Sequence, residues 1–376
     1  MRPDPERARL PAGTFAGGPA AVSLSGGSYG DNCNSFLELF LKIQVSTTDT
    51  LTTYYSIPVP TDLSATKSSF SATSALTVTA GTGAYATKGG TGTASIDIQL
   101  LSASTFMFSI TGTVSLAGPL VPLATVTPLG IVPVFSDSTA VQPGSWISIY
   151  GNNLANGTTL WNADFPTALG NVSVTIDGKP GYLWFVSPGQ INLQVPDSSK
   201  QGCVPVSINT PNGNISLSME LRPVSPSLSL LDGKYVAAVI LTPNKTGAYG
   251  GGTYDLAGPV GRFPYATRPV KRGETIELFG VGFGPTKTPV PAGKAFVGAA
   301  DTTNTVQVYL GVPGGNGVPA QVLYSGETGA GLYQINLTIP NNAPVGDLSV
   351  VAVVGPPGNP NNAGTSNTVS VLIPVQ

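Results

Sequence analysis

The feature that most constrains this chain is an internal duplication. Gly144-Ser-Trp-Ile-Ser-Ile-Tyr-Gly151 is answered by Gly273-Glu-Thr-Ile-Glu-Leu-Phe-Gly280, with the bounding glycines seven positions apart in both. Gln190-Ile-Asn-Leu-Gln-Val-Pro196 returns as Gln334-Ile-Asn-Leu-Thr-Ile-Pro340, and Gly202 and Gly346 each follow six residues after those prolines. Matched landmarks in one order, at a spacing far longer than a solenoid unit, imply two copies of one small domain.

Short Val/Ile/Leu runs separated by Gly, Pro and Asn clusters are the pattern of strands and turns, and no long stretch has helical period. The expected fold class is all-β: an N-terminal β-domain followed by two immunoglobulin-like β-sandwich domains. In copy one, Ile147 and Ile149 alternate with Ser148, and Val172, Val174 and Ile176 alternate with Ser173 and Thr175. Asp177-Gly178 and Asn212-Gly213 supply turns. Roughly seven strands in about ninety residues match a sandwich. Copy two repeats the inward set at Ile276 and Leu278, Val306, Val308 and Leu310, and Ile335, Leu337 and Ile339.

The expected organisation is a disordered tail (1–12), an N-terminal β-domain (13–117), a Pro-rich linker (118–133), copy one (134–224), an inter-repeat segment (225–264) and copy two (265–376). Gly81 to Gly92 reads as a glycine-punctuated connection between strands. Copy two is longer than copy one between Gly280 and Val306 and between Pro319 and Gln334; this extra length is assigned to loops.

Pro143 through Leu154, Ala168 through Gly178, Val186 through Pro196 and Gly273 through Thr286 together resemble the Solibacter-type uncharacterised C-terminal domain family, over about residues 125–376. Each half is also similar to the IPT/TIG branch of immunoglobulin-like folds. The resemblance implies an exported bacterial protein with paired Ig-like modules, and it carries no catalytic residues. Through Gly81-Thr-Gly-Ala-Tyr85 and Ser109-Ile-Thr-Gly-Thr-Val114 the N-terminal part resembles small secreted β-barrel modules.

Composition narrows the chemistry. The chain has no histidine, which removes Ser-His-Asp and Cys-His nucleophile activation and imidazole-bound zinc. Ser64-Ala-Thr-Lys67 and Lys245-Thr-Gly247 fit fragments of a β-lactamase signature, but their surroundings read as strand and turn and no S-D-N element lies between them. Gly280-Val-Gly-Phe-Gly284 is read as a strand end rather than a phosphate cradle. Asp31, Asn32 and Asn34, and Asp301 with Asn304, are read as turn residues in preference to calcium ligands. No catalytic residue, metal or cofactor is expected. With charged residues at 10% and a net charge of −2, no basic stripe exists for nucleic acid, and no apolar run spans a membrane.

Few charges, five N-x-[ST] sequons and many Ser, Thr and Asn residues suit an extracellular or cell-surface protein, whose leader would then lie outside this sequence. Cys33 and Cys203 are expected to be buried free thiols, because a disulfide would need their domains to dock.

The functional expectation is a non-enzymatic exported interaction or structural protein, a spacer or adhesion-type module with possible self-association into filaments. Its partners would be a protein or a surface glycan. One alternative is carbohydrate binding through Tyr182, Trp184 and Trp161, since all three tryptophans lie in copy one and the pleat of Tyr182-Leu-Trp-Phe-Val186 would place Tyr182 and Trp184 opposite Leu183 and Phe185. The other is a carboxylate-dependent glycoside hydrolase in the N-terminal domain.

Overall fold

The computed structural model describes residues 14–15, 18–19, 21–30, 33, 35–58, 69–100, 106–162, 165–241, 254–355, 366–367 and 370–376. The expected tail at 1–12, the Ser64–Lys67 and Lys245–Gly247 fragments, and Asp31, Asn32 and Asn34 lie outside them. Among the described residues the fold is all-β, with one helical turn, a 3-10 turn at Gly83–Tyr85. The chain forms two compact units, Met1–Leu129 with Asn212–Asn214, and Gly130–Pro211 with Ile215–Gln376.

The first unit is an antiparallel meander of β1 (Ala21–Gly30), β2 (Ser35–Gln44), β3 (Thr50–Pro58), β4 (Ser69–Thr82), β5 (Lys88–Leu100) and β6 (Phe106–Pro119), each paired with the next. Strand alternation decides what is buried. Leu51, Thr53, Tyr55 and Ile57 of β3 point inward, joined by Leu39, Leu76, Ala94, Ile96 and Ile98. The Tyr55 hydroxyl donates to the carbonyls of Ala94 (2.6 Å) and Ala72 (3.2 Å), so its burial leaves no orphaned polar atom. The glycine-rich stretch from Gly81 is mostly strand rather than connection, because only the 3-10 turn and two further residues separate β4 from β5. At Gly92 a Cβ would stand 1.8 Å from the Thr113 carbonyl oxygen of β6, which explains why glycine is used inside a strand there.

The first sandwich, which lies in the second unit apart from Thr125–Leu129 of β7 and Gly213–Asn214 of β16, comprises β7 (Thr125–Pro133), β8 (Ala140–Val141), β9 (Trp146–Asn152), β10 (Thr159–Leu160), β11 (Ser173–Ile176), β12 (Lys179–Pro180), β13 (Tyr182–Val186), β14 (Gln190–Gln194), β15 (Gly202–Thr210) and β16 (Gly213–Leu221). Its sheets run β8-β16-β15-β11-β12 and β10-β13-β14-β9-β7. The expected Pro-rich linker is thus corrected. Strand β7 occupies its second half, and Pro128 and Pro133 are tolerated because β7 is an edge strand with unpaired donors to spare. Ile147, Ile149, Val174, Ile176, Ile191, Leu193, Val204, Val206 and Ile208 form the interior as the alternation requires, whereas Ile215 and Leu217 of β16 are only half-buried.

The second sandwich comprises β17 (Ser227–Leu228), β18 (Ala238–Leu241), β19 (Tyr254–Leu256), β20 (Thr275–Val281), β21 (Val297–Asp301), β22 (Thr305–Leu310), β23 (Val318–Gly329), β24 (Leu332–Thr338), β25 (Gly346–Gly355), β26 (Ser366–Asn367) and β27 (Val371–Val375). The inter-repeat segment belongs to it. Strands β17 and β18 both pair with β20, and Leu228, Val236, Ala238, Ile240 and Ala257 enter its core. Strand β23 turns the corner between sheets, pairing with β22 through Val318–Ala320 and with β24 from Gln321 onward. Most of the extra length from Pro319 to Gln334 is accordingly strand, and β21 lies within the other insertion.

The duplication is exact at the level of register. Trp146 pairs with Gln194 and Ser148 with Asn192, just as Thr275 pairs with Thr338 and Glu277 with Asn336. Gly144 and Gly273 have φ of 81° and 80°, and each donates its N–H to the residue before the matched proline, Val195 (3.0 Å) and Ile339 (2.8 Å). The repeated glycine is therefore a backbone requirement, since an L side chain in that region is strained.

Candidate functional site

The repeated Gln-x-Asn motif has a structural explanation. Ile191, Leu193, Ile335 and Leu337 fill the two cores, so Gln190, Asn192, Gln334 and Asn336 point to the opposite face. There Gln190 Nε2 donates to Asn192 Oδ1 (2.7 Å) and Ser148 Oγ donates to the same oxygen (3.0 Å). In the second sandwich Gln334 Nε2 donates to Asn336 Oδ1 (2.8 Å) and to Glu277 Oε1 (3.0 Å). Burial pushes the Glu277 carboxyl above its ordinary value.

The three aromatics singled out by sequence do not form one platform. A bulge between Leu183 and Phe185 shifts the phase of β13, so that Leu183 and Val186 are buried while Phe185 is opposite Asn192 on the outer face. The simple pleat, which puts Leu183 and Phe185 together, fails for this reason. Tyr182 is committed to the neighbouring sandwich: a Cβ on Gly293 would lie 2.3 Å from its ring. Trp184 and Trp161 instead belong to an aromatic cluster completed by Trp146 and Phe165. Trp184 meets Trp146 edge-on at 5.8 Å, Trp146 lies 5.7 Å from Phe165, and Trp161 stacks on Phe165 at 5.2 Å. Trp184 is 43% exposed.

The densest chemistry lies where the two sandwiches meet within the second unit. Gln142, 5% exposed, donates from Nε2 to the Tyr333 hydroxyl (3.1 Å) and accepts the Gly284 N–H at Oε1 (2.5 Å), while Tyr333 donates to the Gly284 carbonyl. The Trp146 indole N–H donates to the Ala330 carbonyl (2.6 Å), and Gln194 Oε1 accepts the Gly293 N–H (2.8 Å). Asp197 Oδ2 accepts the Ala292 N–H (3.0 Å), and the Ser225 hydroxyl donates to the Ala140 carbonyl (2.6 Å). Gly331, at φ 64°, fits against copy one so closely that a Cβ would stand 2.6 Å from the Gly144 carbonyl oxygen. Both insertions of copy two thus serve the junction.

Beside this network is a cleft of about 570 Å³ whose lining includes Gln142, Asp197, Glu327 and Tyr333. Glu327 is 5% exposed, and its Oε1 accepts the Gly331 N–H (2.6 Å). Burial pushes its carboxyl up to about 7; the Gly331 hydrogen bond opposes that rise and the Asp197 charge adds to it. Burial likewise raises the Tyr333 hydroxyl, with Glu327 adding and Gln142 opposing. Sequence reading missed Glu327. The available signal was an acidic residue, in a charge-poor chain, within the length peculiar to copy two.

Cys33 and Cys203 are both disulfide-bonded, which corrects the free-thiol reading. Asp301 pairs with Lys287 at 3.2 Å, and no cluster of three or more metal-ligating side chains occurs among the described residues. The glycine run from Gly280 is a strand end, with Gly282 and Gly284 at φ 82° and 94°. Among the described residues no helix is long and apolar enough to cross a membrane.

No family model and no curated protein matches the chain. Among solved structures it is similar to the mouse coronavirus receptor-binding domain complexed with its murine receptor, at 11% identity and a TM-score of 0.16 over 67% of this chain and 100% of that one. It is also similar to surface layer protein SbsC, domains 4–9, at 12% identity and a TM-score of 0.19 over 94% of this chain; it spans about half of that chain (47%). At these scores neither likeness bears on function.

The raised Glu327 carboxyl has a consequence for stability. An unfolded chain releases this proton near the ordinary value of 4.5, whereas the folded chain holds it to about 7, so the group's stabilising contribution is complete below 4.5 and is lost as pH rises through 7. At about 1.4 kcal/mol per unit, the loss is on the order of 3–4 kcal/mol. Denaturant unfolding between about pH 4.5 and pH 8 should show wild type losing stability relative to Glu327→Gln by that amount. Parallel pH profiles for the two proteins would contradict this.

Proposed function

We propose that this chain is a non-enzymatic structural or interaction protein of the cell exterior, in which the duplicated sandwiches act as one stiff spacer that holds binding surfaces apart. The observation that carries the reading is the junction. Two modules joined by a free hinge would not commit Gln142, Trp146, Gln194, Asp197, Tyr333 and two close-packed glycines to one another. Rigid sandwiches with variable loops suit presentation to a protein or glycan partner. Disulfide-bonded cysteines are the state favoured by oxidising, extracytoplasmic compartments, which supports export. The resemblance to the Solibacter-type family points the same way. Spin labels at the exposed positions Leu160 and Val312, introduced as Leu160→Cys and Val312→Cys, should report a single narrow distance distribution by pulsed electron resonance. A broad distribution would reject the spacer.

A second reading is favoured by the Trp184 cluster. An exposed indole buttressed by Trp146, with Trp161 stacked on Phe165 beside it, is suited to stacking on a sugar ring. Glycan-array binding that is lost in Trp184→Ala, with thermal stability kept within about 1 kcal/mol, is the expected result for that reading. Binding that survives the substitution removes it.

A further inference from the structure

One face of the first sandwich sets uncharged hydrogen-bonding groups beside exposed tryptophan. No strand of the sheet β10-β13-β14-β9-β7 carries a charged residue. On its outer face Gln190 and Asn192 of β14 are held by each other and by Ser148. Gln190 Nε2 donates to Asn192 Oδ1 (2.7 Å) and to Ser148 Oγ (3.4 Å), and Asn192 Oδ1 also accepts from Ser148 (3.0 Å). This row fixes which way each amide points, and it leaves over one acceptor, Gln190 Oε1, and one donor group, Asn192 Nδ2. Neither has a hydrogen-bond partner among the described residues, and neither is a buried orphan, so both reach solvent.

The aromatic side chains stand next to this pair. Trp184 and Trp146 lie on the two strands that flank β14, and their rings meet at 5.8 Å, so they close over β14 on the face where Trp146 pairs with Gln194 and Ser148 with Asn192. Phe185 sits directly opposite Asn192. Copy two supplies the contrast. It has no tryptophan, and Glu277, which stands where copy one has Ser148, is 4% exposed and takes a hydrogen bond from Gln334 at 3.0 Å.

We propose that this face binds one pyranose ring of a neutral glycan. The C–H face of the sugar lies on Trp184, one hydroxyl donates to Gln190 Oε1, and the neighbouring hydroxyl accepts from Asn192 Nδ2. The inference rests on the glycan reading of Trp184 and adds to it the polar contacts and the charge class of the ligand. A vicinal diol both donates and accepts, which is what an adjacent acceptor and donor require. A purely apolar occupant would strand the two amide ends. A uronic acid or sulfated sugar would bring a charge to a sheet with no charged residue to pair it, so its desolvation would go uncompensated.

The test is calorimetric titration of the full chain with cellohexaose, xylohexaose and mannohexaose, set beside hexagalacturonate as the anionic glycan and a proline decamer as a peptide that also docks on aromatic surfaces. The expected result is binding of at least one neutral hexasaccharide, at least about tenfold weaker binding of hexagalacturonate, and none of the decamer. Trp184→Ala should lose the binding. Asn192→Asp keeps Oδ1 for Ser148 and Gln190 while removing the donor, and Gln190→Ala removes the acceptor. Each should weaken binding about tenfold, the worth of one or two neutral hydrogen bonds, while thermal unfolding remains cooperative. Binding that is lost in Trp184→Ala yet undiminished in both amide variants would overturn this inference and leave the glycan reading of Trp184 standing. Equal binding of hexagalacturonate would overturn the assignment to a neutral sugar. Binding of the decamer alone, or no binding of any neutral hexasaccharide at millimolar concentration, would overturn the proposal outright.

Discussion

The second unit depends on a buried amide that belongs to one sandwich and is satisfied by the other. Gln142 follows the short strand β8, where the chain turns toward Gly144, and both ends of its side chain find partners in copy two, at Tyr333 and Gly284. A buried primary amide without partners would cost on the order of 1–3 kcal/mol per unsatisfied group. The two sandwiches are therefore tied at the point where separation would be most expensive. In a chain whose charged residues are only 10%, neutral hydrogen bonds and close-packed glycines supply the specificity that ion pairs often supply elsewhere.

From that tie the rest of the site follows. Holding β24 against copy one brings the β23–β24 hairpin down on Trp146 and Gly144, which leaves no room for a side chain at Gly331. The bulge between Glu327 and Gly329 closes the hairpin so that the Gly331 N–H reaches the Glu327 carboxyl. Glu327 is thereby buried near Asp197, and its proton is held to about 7. The same geometry that ties the two sandwiches together makes the unit sensitive to pH near neutrality and leaves a cleft beside the joint.

Much of this architecture was legible in the sequence, because a duplicated motif carries its own register. Gly144 and Gly273 marked matching positive-φ positions, and alternation around Ile191-Asn-Leu193 and Ile335-Asn-Leu337 showed which side chains point inward. What was not legible were features that depend on a partner distant in the chain. The bulge in β13 changed the phase of Phe185, which a strict period of two cannot anticipate. Prolines suggested a linker where an edge strand lies, since an edge tolerates them as readily as a linker does. The extra length of copy two read as loop, yet it forms β21 and most of β23 and supplies Glu327 and the two glycines that close the junction. Of the three aromatics picked from sequence, Tyr182 proved to be part of that junction, because Gly293 of copy two packs on its ring.

The central claim is that the two sandwiches are energetically one body joined through Gln142 and Tyr333. A double-mutant cycle on unfolding of the full chain, using Gln142→Ala, Tyr333→Phe and the double variant, measures that coupling directly. The account predicts an interaction energy of about 1–2 kcal/mol, because either substitution alone strands a buried partner and the second then costs little more. Additive effects, within about 0.3 kcal/mol, would show that the side chains act independently and would contradict it.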